Sequence, residues 1–344
     1  MKKLLSLVLA LCLVLALCAC GSSATAPAET AAPKTDAPES AAPETEAPAE
    51  GGKVYRIGIC QLVQHDALDA ATLGFREKLT ELLGEGNVEF IEQNAQGDSQ
   101  TCATICNQFV ADDVDLILAN ATPALQAAAS ATSEIPILGT AVTDYGTALG
   151  MSDFTGATGT NISGTADLAP LDQQAQMLVE LFPDAKNVGI LYCSAEPNSA
   201  FQASVITGYL NELGLECKEY TFSDTNDVAA VTQTACDSSD VIFVPTDNTA
   251  ASNTELIRNV AVPNGTPIIA GEAGICSGCG VATLSISYYD LGAAAGQMAY
   301  EILVEGADIS TMDVRYAENV TKKYNADICA ELGVEVPADY EALE

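Results

Sequence analysis

The sequence predicts an α/β protein of two doubly wound, Rossmann-like lobes, each a parallel sheet flanked by helices. Three observations predict it. From Val54 onward, short apolar runs alternate with amphipathic stretches, the pattern of βα units feeding a parallel sheet. The rhythm comes in two series of the same cadence, divided by a Gly/Thr/Ser-rich passage from Gly146 to Gly164, and no short fixed period marks a solenoid. About 290 residues follow the N-terminal region, long for one core and comfortable for two.

In chain order, the first series reads as strand Tyr55 to Leu62, helix Leu68 to Leu83 ended by Gly84, strand Val88 to Ile91, and helix Ser99 to Val110. Strand Leu116 to Ala119, a short helix after Thr122 and strand Ile135 to Val142 complete it. The glycine-rich passage then reads as a crossing between lobes. The second series opens with a helix from Asp167 to Leu181 and strand Asn187 to Cys193. It continues with helix Ser199 to Leu213, strand Glu216 to Phe222, helix Val228 to Cys236, strand Val241 to Pro245, helix Ala250 to Val260 and strand Pro267 to Gly271. A second glycine-rich loop, Gly274 to Gly280, precedes strand Ala282 to Ser287, helix Asp290 to Val304 and an extended piece from Met312 to Tyr316.

The N-terminus is of another kind. Lys2 and Lys3 precede an apolar run from Leu4 to Leu17, too short to span a bilayer but suited to a secretory leader. Leu17-Cys-Ala-Cys20 resembles a bacterial lipobox, which implies removal of residues 1–19 and lipidation of Cys20, a durable anchor if several acyl chains insert. Residues 20–53 then form a tether. They are dominated by Ala, Pro, Glu, Thr and Ser, with prolines at 27, 33, 38, 43 and 48, and hold too few large apolar side chains to offset the entropy of ordering.

Charge and cysteine content narrow the function. Thirteen basic residues face 47 acidic ones, a net charge of −34, so nucleic-acid phosphates and anionic lipid surfaces are repelled; such acidity suits a soluble monomer. Of the twelve cysteines, nine lie beyond Cys20, an odd number that cannot all pair. Cys60 and Cys193 sit in apolar runs where a free thiol behaves as a small hydrophobe, and the surplus of thiols suits a weakly oxidising setting. His65 is the single histidine, which excludes a multi-histidine metal site; with no Gly-x-Ser-x-Gly elbow, a hydrolase triad has little support.

Polar residues gather in the loops that follow the strands: Gln61 to Asp66, Asn120 to Pro123, Thr140 to Asp144, Ser194 to Ser199, Pro245 to Thr249 and Gly271 to Gly274. In open α/β sheets ligands settle beyond the carboxyl ends of the strands, and two facing lobes place them in the cleft between.

Several of these segments, in order, carry a family resemblance: Gln61-x3-His65-x2-Leu68-Asp69, Asn120-Ala-Thr-Pro-Ala124, Val142-Thr-Asp144, Leu181-Phe-Pro183, Pro197-Asn-Ser199, Pro245-Thr-Asp-Asn-Thr249, Gly271-Glu272 and Tyr288-Tyr-Asp-Leu-Gly292. From about Arg56 to Glu335 the chain resembles the extracytoplasmic solute-binding proteins of ABC importers, in the branch associated with tryptophan and related amino acids. The resemblance implies the type I periplasmic-binding-protein fold with three crossings between lobes. The expected division is 54–160 plus 286–313 for lobe 1 and 161–285 plus 314–338 for lobe 2. It also implies no reaction and no cofactor, but capture of a small amino acid, aromatic first and branched aliphatic second. Hinge closure would then present it to a membrane permease driven by a separate ATPase.

A free amino acid needs N–H donors for its carboxylate and a fixed carboxylate for its ammonium. Thr122 before Pro123 reads as an N-cap with proline at N1, either a plain cap or an anion site. Asn248 and Thr249 read as a second helix start. Asp247 and Glu272 are the candidate ammonium acceptors, Asp247 preferred, with a capping role as its alternative. His65 reads as a cleft contact or a loop histidine, Asp69 as a site residue or part of the first helix, and Asp144 as a site residue or a turn cap. The candidate set drawn from these loops is Gln61, His65, Asp69, Ala121, Thr122, Thr143, Asp144, Asn198, Ser199, Asp247, Asn248 and Glu272, with Tyr145, Phe154 and Tyr288 available to stack on a ligand side chain. A purely sensory receptor, partnered with a signalling protein in place of a permease, is one alternative, and two rivals of other kinds stand beside this reading. One is a sugar or nucleoside receptor of the same fold, disfavoured by the absence of Trp and only 6% aromatics. The other is a thiol redox or surface enzyme using Cys276, Cys279 and Glu272, although Cys276-x-x-Cys279 reads more simply as a turn than as a reversible disulfide.

Overall fold

The computed structural model describes residues 53–317 and 319–343. The leader, the lipidation site at Cys20 and the tether up to residue 52 lie outside the described residues.

Lobe 1 alternates β1 (Tyr55–Gln61), α1 (Asp66–Leu83), β2 (Val88–Asn94), α2 (Ser99–Ala111), β3 (Leu116–Asn120), α3 (Thr122–Ala131), β4 (Ile137–Val142), α4 (Tyr145–Leu149) and β5 (Ile162–Ala166). Lobe 2 follows with α5 (Leu171–Leu181), β6 (Asn187–Cys193), α6 (Pro197–Glu212), β7 (Glu216–Phe222), α7 (Val228–Cys236) and β8 (Val241–Val244). It continues through α8 (Asn248–Ala251), α9 (Thr254–Ala261), β9 (Ile268–Ala270), α10 (Ala273–Cys279) and β10 (Ala282–Ser285). The chain returns to lobe 1 for α11 (Tyr288–Leu303) and β11 (Arg315–Tyr316), then crosses a third time into β12 (Thr321–Tyr324), α12 (Ala326–Leu332) and β13 (Glu341–Ala342).

The first sheet has the order β11-β5-β4-β3-β1-β2, every neighbour parallel. The second has the order β13-β12-β10-β9-β8-β6-β7, parallel except where β12 runs against β10. In each lobe the strand order reverses beside the first strand, between β1 and β3 and between β6 and β8, which opens a crevice at the carboxyl ends there. Helices cover both faces of each sheet, so the central strands are apolar throughout. Ile57, Ile59 and Cys60 of β1 and Val241 to Val244 of β8 are fully buried.

Helices α1 and α11 pack backbone to backbone over the first sheet. A Cβ at Gly74 would strike the Tyr289 carbonyl, one at Gly292 the Ala71 carbonyl, and one at Gly296 would stand 2.8 Å from the Phe75 carbonyl. Three glycines on one seam therefore allow the approach, and the seam ties the returning segment to lobe 1.

The structure moves the lobe boundaries expected at 160/161 and 313/314. Ile162–Ala166 pairs with β4, and Arg315–Tyr316 pairs with β5, so both strands belong to the first sheet. The first two crossings fall at residues 167–170 and 286–287, and the third joins β11 to β12. Other elements differ from expectation. The helix expected from Asp167 begins at Leu171 and the one expected from Ala250 to Val260 is split into α8 and α9, while the loop expected at Gly274 to Gly280 is largely α10. The elements after Tyr316 were not anticipated.

Candidate functional site

The cleft is lined by the loops that leave the carboxyl ends of both sheets. From lobe 1, α3 begins without a side-chain cap. Its N-cap is Ala121, not Thr122, and Ala121 adopts φ +92, a conformation that costs a non-glycine residue. Thr122 is thus the first helical residue and Pro123 the second, which corrects the expected register by one position. The first N–H groups of a helix have no intrahelical acceptor, so this uncapped ten-residue helix presents unspent donors toward the cleft end of β3. Ala141, also at positive φ, marks an irregularity in β4 just before Thr143.

From lobe 2, Glu196 organises the facing loop. Its Oε2 accepts from the Asn248 N–H at 3.0 Å and the Asn248 side chain at 2.7 Å, and its Oε1 accepts from Thr249 N–H and hydroxyl, both at 2.8 Å. A buried carboxylate thereby holds the start of α8 from the next strand's loop. Sequence reasoning missed Glu196 because its partners lie about fifty residues away.

The two expected ammonium acceptors are helix caps. Asp247 is 1% exposed, and its Oδ1 accepts from Ala250 N–H and its Oδ2 from Cys193 N–H, each at 2.7 Å. Burial, reinforced by the Glu196 charge, pushes its pKa up to about 8. Glu272, 3% exposed, accepts from Gly274 N–H at 2.6 Å and Ile275 N–H at 2.5 Å at the start of α10; burial pushes it up to about 7, against those two donors. For Asp247 the geometry displays the capping alternative, and Glu272 caps α10 in the same way.

A different carboxylate stands open. Asp167 follows β5 at the first crossing and is 3% exposed. Its Oδ2 accepts from the Tyr288 hydroxyl at 2.9 Å, while its Oδ1 is buried without a hydrogen-bond partner. Burial raises its pKa, with the Tyr288 and Thr143 hydroxyls opposing the shift. No cation among the described residues pairs with it. Two further acceptors in lobe 2 are unspent: Asn198 Oδ1 and Gln174 Oε1 are buried and unpartnered, although the amide nitrogens of both are engaged, that of Gln174 by the Gly271 carbonyl at 3.1 Å. Asp167 stands one residue past β5; reading the passage from Gly146 to Gly164 as a crossing hid that position.

The remaining expected residues sort by their contacts. Gln61 donates to Val63 and to Asp69 Oδ1 and accepts from the Thr72 hydroxyl, so Gln61 and Asp69 satisfy each other within lobe 1. Asp144 caps α4 through Thr147 N–H. Tyr145 is buried inside lobe 1, its ring stacked 6.2 Å from the half-buried Phe154 and its hydroxyl donating to the Thr165 carbonyl. Tyr288 is spent on Asp167. Thr143 is buried just past β4, and Asn198 and Ser199 are buried in the first turn of α6. Cys276 and Cys279 are buried on α10 with free thiols, and the Cys279 thiol bonds the Ile275 carbonyl, which corrects the turn expected there.

Two cavities open between the lobes. One, of about 270 Å³, lies among Leu62, Val63 and Pro123 on one side and Cys193, Glu196 and Thr249 on the other. The second, of about 240 Å³, lies among His65, Asp66, Ser252 and Gly278. Asn248 lines the first and His65 the second, and the two are hydrogen-bonded at 3.2 Å.

Two sheets with matching strand order, three crossings and a buried polar cleft define the type I periplasmic-binding fold of a solute receptor. Residues 56–342 match the ABC transporter substrate binding protein family, and the chain belongs to it. It is 36% identical over 277 residues to a tyrosine-binding protein of Clostridioides difficile, covering 80% of each chain. Among solved structures, it is similar to an ABC domain in complex with L-Trp from Streptococcus pneumonia, at 31% identity and a TM-score of 0.79, covering 83% of this chain and 96% of that one. It is also similar to the ligand-free, open structure of an adhesive substrate-binding protein from Clostridium difficile, at 36% identity and a TM-score of 0.65, covering 85% and 99%. Members of this family bind solutes for ABC transporters and are not enzymes, which sets the thiol-enzyme rival aside.

Proposed function

We propose that this protein captures an aromatic amino acid between its lobes and delivers it to an ABC permease while anchored outside the cell membrane through Cys20. The observation that carries the reading is Asp167. A nine-tenths-buried carboxylate with one oxygen unspent is costly unless a cation completes it, and an amino-acid ammonium supplies that cation. The uncapped start of α3 at Ala121 and Thr122 offers N–H groups for the carboxylate of the same ligand. The tyrosine-binding relative and the L-Trp complex support an aromatic side chain.

Mechanistically, contacts from both lobes made together stabilise the closed arrangement, so the ligand shifts an open–closed balance. Closure buries the ammonium against Asp167, where the low local dielectric strengthens the pairing. The permease then reads the closed surface, and its ATPase drives transfer.

Calorimetric titration with tyrosine, tryptophan, phenylalanine, leucine, glucose and adenosine tests the reading. Selective binding of the aromatic amino acids is expected. Binding of the sugar or nucleoside alone, or of none of the six, would overturn it.

A further inference from the structure

Away from the crossings, His65 and Asn248 make the one hydrogen bond that joins the two lobes among the described residues. His65 follows β1 and Asn248 opens α8 after β8, so the bond spans the two crevices where the strand orders reverse. Both ends are prepared for it. Asn248 donates its amide nitrogen to Glu196 Oε2 at 2.7 Å, which leaves Oδ1 aimed away from Glu196 and needing a donor. Because Oδ1 only accepts, the His65 Nε2 carries the hydrogen. His65 is the N-cap residue of α1, yet its side chain makes no capping bond and is free to reach across. Asn248 lines one of the two interlobe cavities and His65 the other. The lobes in this arrangement also match the L-Trp complex better than the more identical open, ligand-free relative.

We propose that His65 and Asn248 form a closure latch: a positioning pair that sets how favourable lobe closure is, without touching the ligand and without choosing among ligands. The idea rests on hinge closure as the binding mechanism. A contact made only in the closed state scales the apparent affinity of every ligand by the same factor, because it changes the competent fraction and not the site. This separates it from Asp167, whose loss acts on the ligand's own charge.

The test uses the mature protein, with His65→Ala, His65→Gln and the double variant His65→Ala with Asn248→Ala. Titrations with tyrosine, tryptophan and phenylalanine are read beside the radius of gyration of the ligand-free protein. His65→Ala is expected to raise all three Kd values by one common factor, roughly 2- to 12-fold for one hydrogen bond. His65→Gln, which keeps a side-chain N–H, recovers part of the loss. Removing His65 in the Asn248→Ala background adds little, since the pair acts as one unit. A loss confined to one ligand would show that His65 touches it and would overturn the latch. Unchanged affinities with an unchanged ligand-free radius would also overturn it. If the wild type bound none of the three, the amino-acid reading would fail while the radius still judged the latch: expansion in His65→Ala and recovery in His65→Gln sustain it, and equal radii overturn it.

Discussion

Tyr288 donates its hydroxyl to Asp167 Oδ2 at 2.9 Å, so the start of α11, just past the second crossing, steadies a carboxylate on the first. The bond fixes the carboxylate plane and leaves Oδ1 without a protein partner. Asp167→Asn keeps the shape but removes the charge. Affinity for the aromatic amino acid is expected to fall by about 2 kcal/mol or more, roughly thirtyfold in Kd. The ligand-free protein should melt at the same temperature or higher, since an uncompensated buried charge is gone. Titration and melting on one sample check both; unchanged affinity would remove Asp167 from the site.

Tyr288→Phe separates positioning from charge. It deletes the hydroxyl that steadies Asp167 and leaves the carboxylate in place. A smaller loss of affinity is expected, about 1 kcal/mol for one hydrogen bond. A loss equal to that of Asp167→Asn would mean that Tyr288 itself meets the ligand.

Much of the architecture is legible in the sequence because burial on both faces of a parallel sheet forces continuous apolar runs, as in Ile57 to Cys60 and Val241 to Val244. Strand β5 is not. Its Ser163 and Gly164 fall in the passage read as a crossing, yet the strand is fully buried, and Gly164, at φ +143, lies where any Cβ would strike the Gly139 backbone. Losing that strand also hid Asp167, which then read as a helix start. At Asp247, the spacing of a cap and of a ligand contact is the same in sequence. Only the direction of Ala250 N–H and Cys193 N–H separates them. Glu196 depends on tertiary partners that no local pattern reveals.

The buried acids give stability a definite slope with pH. Asp247, Glu272 and Asp167 all have folded pKa values raised above their unfolded ones, to about 8, about 7 and upward respectively, with burial the leading cause in each. Between the unfolded value near 4 and the folded value, the native state holds protons that the unfolded chain has released. Stability contributed by these groups is therefore present below pH about 4 and is lost as pH rises through the folded values. Melting of the ligand-free protein should be higher near pH 5 than near pH 8, and Glu272→Gln should flatten the slope below about pH 7. A melting temperature that climbs over this range would refute the assignment.

The α1–α11 seam makes a prediction about packing alone. Alanine at Gly74 or Gly292 puts a Cβ into the opposing backbone carbonyl, and two helix backbones cannot yield as a flexible side chain would. Each substitution is expected to cost about 1–3 kcal/mol, although alanine is the better helix former. Denaturant unfolding measures it. A stabilised Gly292→Ala would mean that the helices separate more freely than the packing indicates.

The thiols test whether the Cys276–Cys279 pair has a chemical role. Both are buried on α10, and burial raises both thiol pKa values, with the Glu272 carboxylate adding to the effect. A thiol held protonated is a poor nucleophile, and helical placement puts the pair on a packed face and not at a reactive loop. Cys217 and Cys236, by contrast, are half-buried, so a thiol reagent should label these two first in the native protein. The double variant Cys276→Ala with Cys279→Ala should melt somewhat lower, through lost packing, while its amino-acid Kd stays within about twofold. Rapid labelling of Cys276 and Cys279, with ligand affinity that follows their oxidation state, would instead make the pair a redox control on the cleft, since α10 is capped by Glu272 at its start.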